Sequence, residues 1–274
     1  MAKRINKEII QKAIKEYQES DISIVQCAKN NGIGATTLKR HLEKYNIDTK
    51  KIDTRTYQYN QNYFENIDTE EKAYWLGFIA ADGCILKQGA LEIGLSLKDK
   101  KHLVKFCNAI NAPIEMIEEK TSIVKGKEYH SCRIRICNKK ICSDLKTHGI
   151  EERKSTTYDF PTFLNNELLK HFIRGYYDGD GSLSTNGTTK NGNKKWAVNI
   201  IATRSFLIQL MEHIEYLGIT KIKLQQKGPM YTWNKSGINQ VKKFLNYIYK
   251  DANIYLERKH QIFINLPSQN ETDK

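Results

Sequence analysis

Two aspartates stand in matching surroundings far apart in the chain. Asp82 closes the run Trp75-Leu76-Gly77-Phe78-Ile79-Ala80-Ala81-Asp82-Gly83, and Asp180 closes the run Ile173-Arg174-Gly175-Tyr176-Tyr177-Asp178-Gly179-Asp180-Gly181. Both runs are largely apolar and carry small residues four apart: Gly77 and Ala81 in one, Gly175 and Gly179 in the other. Residues four apart share a helix face, so each run reads as a helix with a flat stripe along which a second backbone can approach. Two such helices can pair, and a pairing about a pseudo-twofold brings both acids to one end. A carboxylate there meets the partial negative charge of a helix C-terminus, unfavourable by roughly 0.3 to 1 kcal/mol unless a cation answers it. The glycine after each acid is expected to take the left-handed conformation that ends many helices. Two carboxylates held close together either share a proton or bind a divalent cation.

The doubled motif resembles that of the LAGLIDADG homing endonucleases in their two-motif, single-chain form, over about residues 63–263. That resemblance implies motif helices at the interface of two αββαββα half-domains. It also implies that the last acid of each motif, here Asp82 and Asp180, binds the divalent metal that cuts DNA. Mg2+ suits such sparse oxygen ligation, because it keeps waters and shares phosphate oxygens. The tripeptides Glu152-Arg153-Lys154 and Glu257-Arg258-Lys259 recur at corresponding places, and in the family a lysine near this place lies beside the metal. Lys154 and Lys259 are therefore expected to polarise the attacking water or to stabilise negative charge developing at each phosphate. Asp178, Asp180, Ser182 and Ser184 superficially suggest a calcium loop, but Thr189 stands where such a loop needs a bidentate glutamate, so that reading is rejected. Ala80 stands where the second motif has Asp178, so no symmetric catalytic role is expected of Asp178, only a hydrogen bond at the helix end.

Charge and composition fit this direction. Forty-four Lys plus Arg against 31 Asp plus Glu give a net charge of +13, which favours a polyanionic partner. The six cysteines show no paired metal-ligand spacing and read as reduced, mostly buried thiols. No apolar stretch approaches the roughly 20 residues that span a bilayer, and the N-terminus is charged and polar, so a cytoplasmic protein without membrane contact is expected.

The elements that must hold these residues follow in order. Residues 1–45 read as three short helices, with Ser23 as a cap and Asn31-Gly32 as a break. Ser23 to Lys44 looks like the helix-turn-helix of resolvase-type DNA-binding domains. Its last helix, with Thr36, Thr37, Lys39, Arg40 and His41, would face the major groove. Residues 46–67 are polar and aperiodic, and are expected to form a linker or arm. The first half-domain then takes residues 68–160 and the second 161–265, with a polar tail at 266–274. In each half the period changes from helical to two after the motif. Strands are expected around 91–98, 114–124 and 129–137 in the first half, with helices at 99–111 and 139–148. In the second half strands are expected at 182–185, 195–202, 220–226 and 230–235, with helices at 205–217 and 238–249.

The expected fold class is α+β: tandem duplicated half-domains whose four-stranded antiparallel sheets, covered by helices on one face only, join their bare faces into a basic saddle. Lys98, Arg133 and Arg135 in the first half, and Lys195, Asn199, Lys221, Lys223, Gln225, Tyr231 and Lys235 in the second, are expected on that wet surface. There they would meet phosphates and base edges. The expected protein is a monomeric, Mg2+-dependent endonuclease that cuts double-stranded DNA at a long, non-palindromic site, since the two halves share little sequence. An intein is not expected, because the chain lacks the terminal residues that splicing needs. Two alternatives stay open: a non-cutting transcription regulator on the same fold, and an intron RNA maturase.

Overall fold

The computed structural model describes residues 6–20, 22–47, 49, 57–188, 192 and 194–267. The chain divides into two compact units, Met1–Thr56 and Tyr57–Lys274.

The first unit holds three helices, α1 (Lys7–Glu19), α2 (Ile24–Asn30) and α3 (Ala35–Lys44). Side chains of Asn6 and Ser23 cap the first two by accepting from the backbone N–H of Glu8 and Gln26, which satisfies donors the helix itself leaves unpaired. After α2 the chain turns through Gly32 at φ +63°, where a side chain would be strained. Ala13, Cys27, Ala28, Leu38 and Leu42 form the core of this unit.

The second unit repeats one order twice. The first half runs through α4 (Glu70–Asp82), β1 (Gly83–Leu86), β2 (Ala90–Ser96), α5 (Lys100–Ala109), β3 (Ile117–Val124), β4 (Lys127–Ile136) and α6 (Lys139–Thr147). The second runs through α7 (Asn166–Asp180), β5 (Ser182–Thr188), β6 (Lys194–Ala202), α8 (Arg204–His213), β7 (Gln225–Lys227), β8 (Met230–Ser236), α9 (Ile238–Tyr249) and α10 (Glu257–Ile264). The first half is thus αββαββα and the second the same order with α10 added, and each sheet is antiparallel with matching order, β1-β2-β4-β3 and β5-β6-β8-β7. Leu91 and Ile93 on β2 oppose Ile136 and Ile134 on β4, facing the core, and α5 and α6 pack on that side. The motif helices α4 and α7 join the halves. All residues from Ala73 to Ala80 are buried, as a helix covered by its own sheet on one side and a partner helix on the other must be.

Four expectations change. Residues 46–67 are not all linker, because Tyr63 and Phe64 are buried in the second unit's core and Asn60 N–H donates to Ile110 O; residues 48 and 50–56 lie outside the described residues. The strand expected at 220–226 is formed only at Gln225–Lys227. Thr220 O accepts from the Lys235 ammonium, not from a strand amide. The third change is one of parity: Val198 pairs with Lys235, Ile200 with Trp233 and Ala202 with Tyr231. Tyr231, Trp233 and Lys235 therefore share the core face, and Thr232, Asn234 and Ser236 face the other way, because a one-residue slip inverts a strand. Lys235 is 6% exposed and is not a surface cation. Fourth, Gly83 and Gly181 are extended, at φ −80° and −76°. They are glycines for space: a Cβ on Gly83 would collide with Ile79, and one on Gly181 with Tyr177.

Candidate active site at the ends of the motif helices

The stripe of small residues does what its spacing predicts. A Cβ added to Gly77 would strike Phe172 O, and one added to Gly175 would strike Tyr74 O, so the two helices touch backbone to backbone. These contacts exchange under the repeat, Gly77 with Gly175 and Phe172 with Tyr74, which is the mark of a pseudo-twofold. One turn further on, a Cβ on Gly179 would meet Ala81 and Asp82. The acids that close the two motif helices are therefore held at the same end of the pair.

Their electrostatics reflect that closeness. Burial, and then the charge of Asp180, push the Asp82 carboxyl up to about 6, against the pull of Lys259, Lys154 and Arg258. Asp180 opens to solvent at one edge, yet the protein packed around it raises its carboxyl too, with Lys154 and Lys259 opposing. Burial lowers both lysines, Lys259 to about 8. All four residues expected from the sequence thus interact in one cluster.

The two lysines do different work in it. Lys259 lies in the first turn of α10, 6% exposed. Its ammonium donates to Tyr177 O at 2.7 Å, Gly179 O at 3.0 Å and Gly181 O at 2.5 Å. Three protons meet three acceptors, and the negative end of α7 receives the cation that its closing acid requires. Lys154 sits instead on a one-turn 3-10 helix, Lys154–Thr156, entered through Arg153 at φ +59°. Among the described residues its ammonium makes one hydrogen bond, to Ala81 O at 3.1 Å. The repeated tripeptide is a repeat of sequence and not of local structure.

Buried or half-buried charges outside the expected catalytic set tie these elements together, among them Asp178, of which a hydrogen bond at the helix end was expected. Arg258 donates to Asp99 at 3.1 to 3.3 Å, tying α10 to the first half. Arg174, wholly buried, donates to Glu70 at 2.6 Å and to Ile248 O and Ile254 O. Asp178, 1% exposed, accepts from Tyr74, Tyr249 and the Leu256 N–H. For Arg174 and Asp178 a charge inside an apolar motif was the available signal, since such groups stay buried only when paired.

The other candidates lie apart from this cluster. Arg133 and Arg135 stand on the helix-free face of the first sheet. There Arg133 donates to Glu118 at 2.8 and 2.9 Å, and Arg135 to Glu92 at 2.6 and 2.9 Å. Lys98 is exposed in the turn after β2. On the second sheet Lys195 and Gln225 are exposed and Asn199, half-buried, faces Asn234 and Ser182 across the strands. Lys221 and Lys223 are exposed on the irregular stretch before β7, and Lys221 pairs with Glu215 at 3.0 Å. In the first unit Thr36, Lys39 and Arg40 are exposed on α3, while Thr37 and His41 are half-buried.

Paired motif helices, each closing on an acid and with both acids at one end, form the arrangement that the resemblance of the motifs implied. The family model for LAGLIDADG endonuclease matches residues 173–265, so the resemblance read from the motifs holds over the second half-domain. Among solved structures, the LAGLIDADG meganuclease I-AabMI bound to uncleaved DNA is 14% identical, covering 73% of this chain and 91% of its own, with a TM-score of 0.46. The I-SmaMI homing endonuclease bound to cleaved DNA is 16% identical, covering 70% of this chain and 86% of its own, with a TM-score of 0.44. No curated protein matches the chain. No described helix is long and apolar enough to cross a membrane.

Proposed function

We propose that the chain is a metal-dependent, site-specific endonuclease of the homing type that cuts double-stranded DNA. The observation that carries this reading is the convergence of Asp82 and Asp180 at one end of the paired helices, each raised by burial, with Lys154 and Lys259 in electrostatic reach. The donor set fits Mg2+. Among the described residues no group of three or more His, Cys, Asp or Glu gathers, so an ion here would take two carboxylates and fill its shell with water and phosphate oxygens, as Mg2+ does. Such an ion supplies a more acidic water and relief of phosphate charge. The protein's own part is to hold the two acids in register through the Gly77 and Gly175 contacts. Lys154, with N–H groups to spare, would donate to a phosphate oxygen or the attacking water.

Recognition would combine three surfaces. Arg133, Arg135 and Lys98 belong to the first sheet and its edge, and Lys195, Asn199, Gln225, Lys221 and Lys223 to the second. On the first unit, Thr36, Thr37, Lys39, Arg40 and His41 would act as a helix-turn-helix contact tethered to the nuclease.

The test is cleavage of a randomised duplex library by wild-type protein and by Asp82→Asn, with and without Mg2+. Discrete cuts that need the metal and vanish in the variant are the expected result. Cutting by the variant at the wild-type rate would remove the assigned site, and salt-sensitive binding without any cut would replace the nuclease with a DNA- or RNA-binding role.

A further inference from the structure

Asp178 takes no part in the chemistry proposed above, yet it is the most enclosed carboxylate of the motif region, at 1% exposure. Three donors from three elements converge on it. Oδ2 accepts from the Tyr74 hydroxyl of α4 at 2.8 Å and from the Leu256 N–H at 2.7 Å, and Oδ1 accepts from the Tyr249 hydroxyl at the end of α9. Burial raises the Asp178 carboxyl, and the Tyr249, Leu256 and Tyr74 donors oppose that rise. Tyr74 spends its proton on Asp178, so its oxygen receives the Nε2–H of His102 at 3.0 Å. That tautomer leaves His102 Nδ1 as a lone pair, and among the described residues it has no hydrogen-bond partner.

Leu256 is the N-cap residue of α10, and no side chain of its own caps that helix. The Lys259 N–H bonds Leu256 O at 3.0 Å, so one turn separates the tethered residue from the lysine whose ammonium closes α7. The first half has no counterpart: Ala80 occupies the place of Asp178, and Lys154 arrives on a 3-10 turn through a left-handed Arg153.

We propose that Asp178 is a positioning residue that anchors the start of α10 to the motif helices and thereby delivers Lys259 onto the closing carbonyls of α7, a device present in the second half alone. The consequence for cleavage rests on the endonuclease reading; the consequence for α10 does not. Asp178→Asn places an amide donor where three donors already meet. Asp178→Ala, which copies the first motif, removes the acceptor without adding a donor and serves if the asparagine variant fails to fold.

The experiment joins amide hydrogen exchange on the full chain to single-turnover cleavage. Exchange at residues 256–260 is expected to quicken at least tenfold in Asp178→Ala while α4 and α7 keep their protection. Cleavage is expected to slow at least tenfold at unchanged DNA affinity, and Asp178→Ala combined with Lys259→Met should be no slower than Lys259→Met alone, as for residues acting as a unit. Wild-type protection in α10, exchange that rises evenly through the second unit, or rate losses that multiply would each overturn the proposal. Should the wild type cut nothing, the endonuclease reading falls and the exchange measurement still decides the anchoring.

Discussion

Around the motif helices the two halves are near copies, and a few ångströms away they are not. Gly77 and Gly175 meet the partner backbone in the same manner. Lys259, by contrast, is spent on three carbonyls where Lys154 has one. The sheet faces diverge as well: the first carries the row Glu118, Arg133, Glu92 and Arg135 bridged across three strands. The second presents Ser182, Asn199, Thr232, Asn234 and Gln225 at the equivalent level. A duplicated fold keeps symmetry where backbone touches backbone, because nothing but glycine fits there. It is free to lose symmetry where side chains alone make the contact.

Breaking the symmetric part should have the largest effect. Gly77→Ala and Gly175→Ala each force a methyl group into a carbonyl oxygen, and each is expected to destabilise the second unit by at least about 3 kcal/mol, read as urea midpoints. A large loss in one and none in the other would deny the pseudo-twofold. The lysines sharpen the asymmetric part. Lys259→Met strands three helix-end carbonyls and should lower stability by about 2 kcal/mol. Lys154→Met should leave the melting temperature within a degree or two and slow cleavage instead. Equal melting temperatures for the two variants would contradict the assignment.

The acids add a pH signature. Asp82 moves from 3.8 to about 6 on folding. A carboxyl raised in this way contributes stability that is present below the unfolded value and lost as pH rises through the folded one. Metal-free protein should therefore weaken between about pH 4 and pH 6, by roughly 2 kcal/mol after allowing for partial solvent exposure. Asp82→Asn should flatten that slope, and Mg2+ should restore stability above pH 6 by binding the folded form. The smallest effect belongs to the sheets. Glu92→Gln releases Arg135 and should steepen the salt dependence of duplex binding by about one phosphate contact. Asn234→Ala should leave that slope alone and relax base preference at one position.

Much of this was legible in the residues because it is local. Small residues four apart and a closing Asp-Gly announce a helix, its stripe and its acid without knowledge of the rest of the chain. The β8 face was misread for an equally local reason: Tyr231, Trp233 and Lys235 alternate with Thr232, Asn234 and Ser236, and the lysine drew the wrong set outward. The purely polar set was the better guide. The clamps of Arg174, Asp178 and Arg258 could not be read this way. Their partners Glu70, Tyr74, Leu256 and Asp99 lie 78 to 159 residues away, and no spacing rule reaches so far.

The all-round burial of α4 also bears on how the protein is made. Tyr74 and Gly77 meet α7, at Asp178 and at Phe172, and α7 leaves the ribosome later by on the order of ten seconds at about 5–20 residues per second. Until then the nascent first half must carry an uncovered apolar helix, a natural handle for a chaperone. A ribosome stalled before Asn166 would leave that half without its other wall.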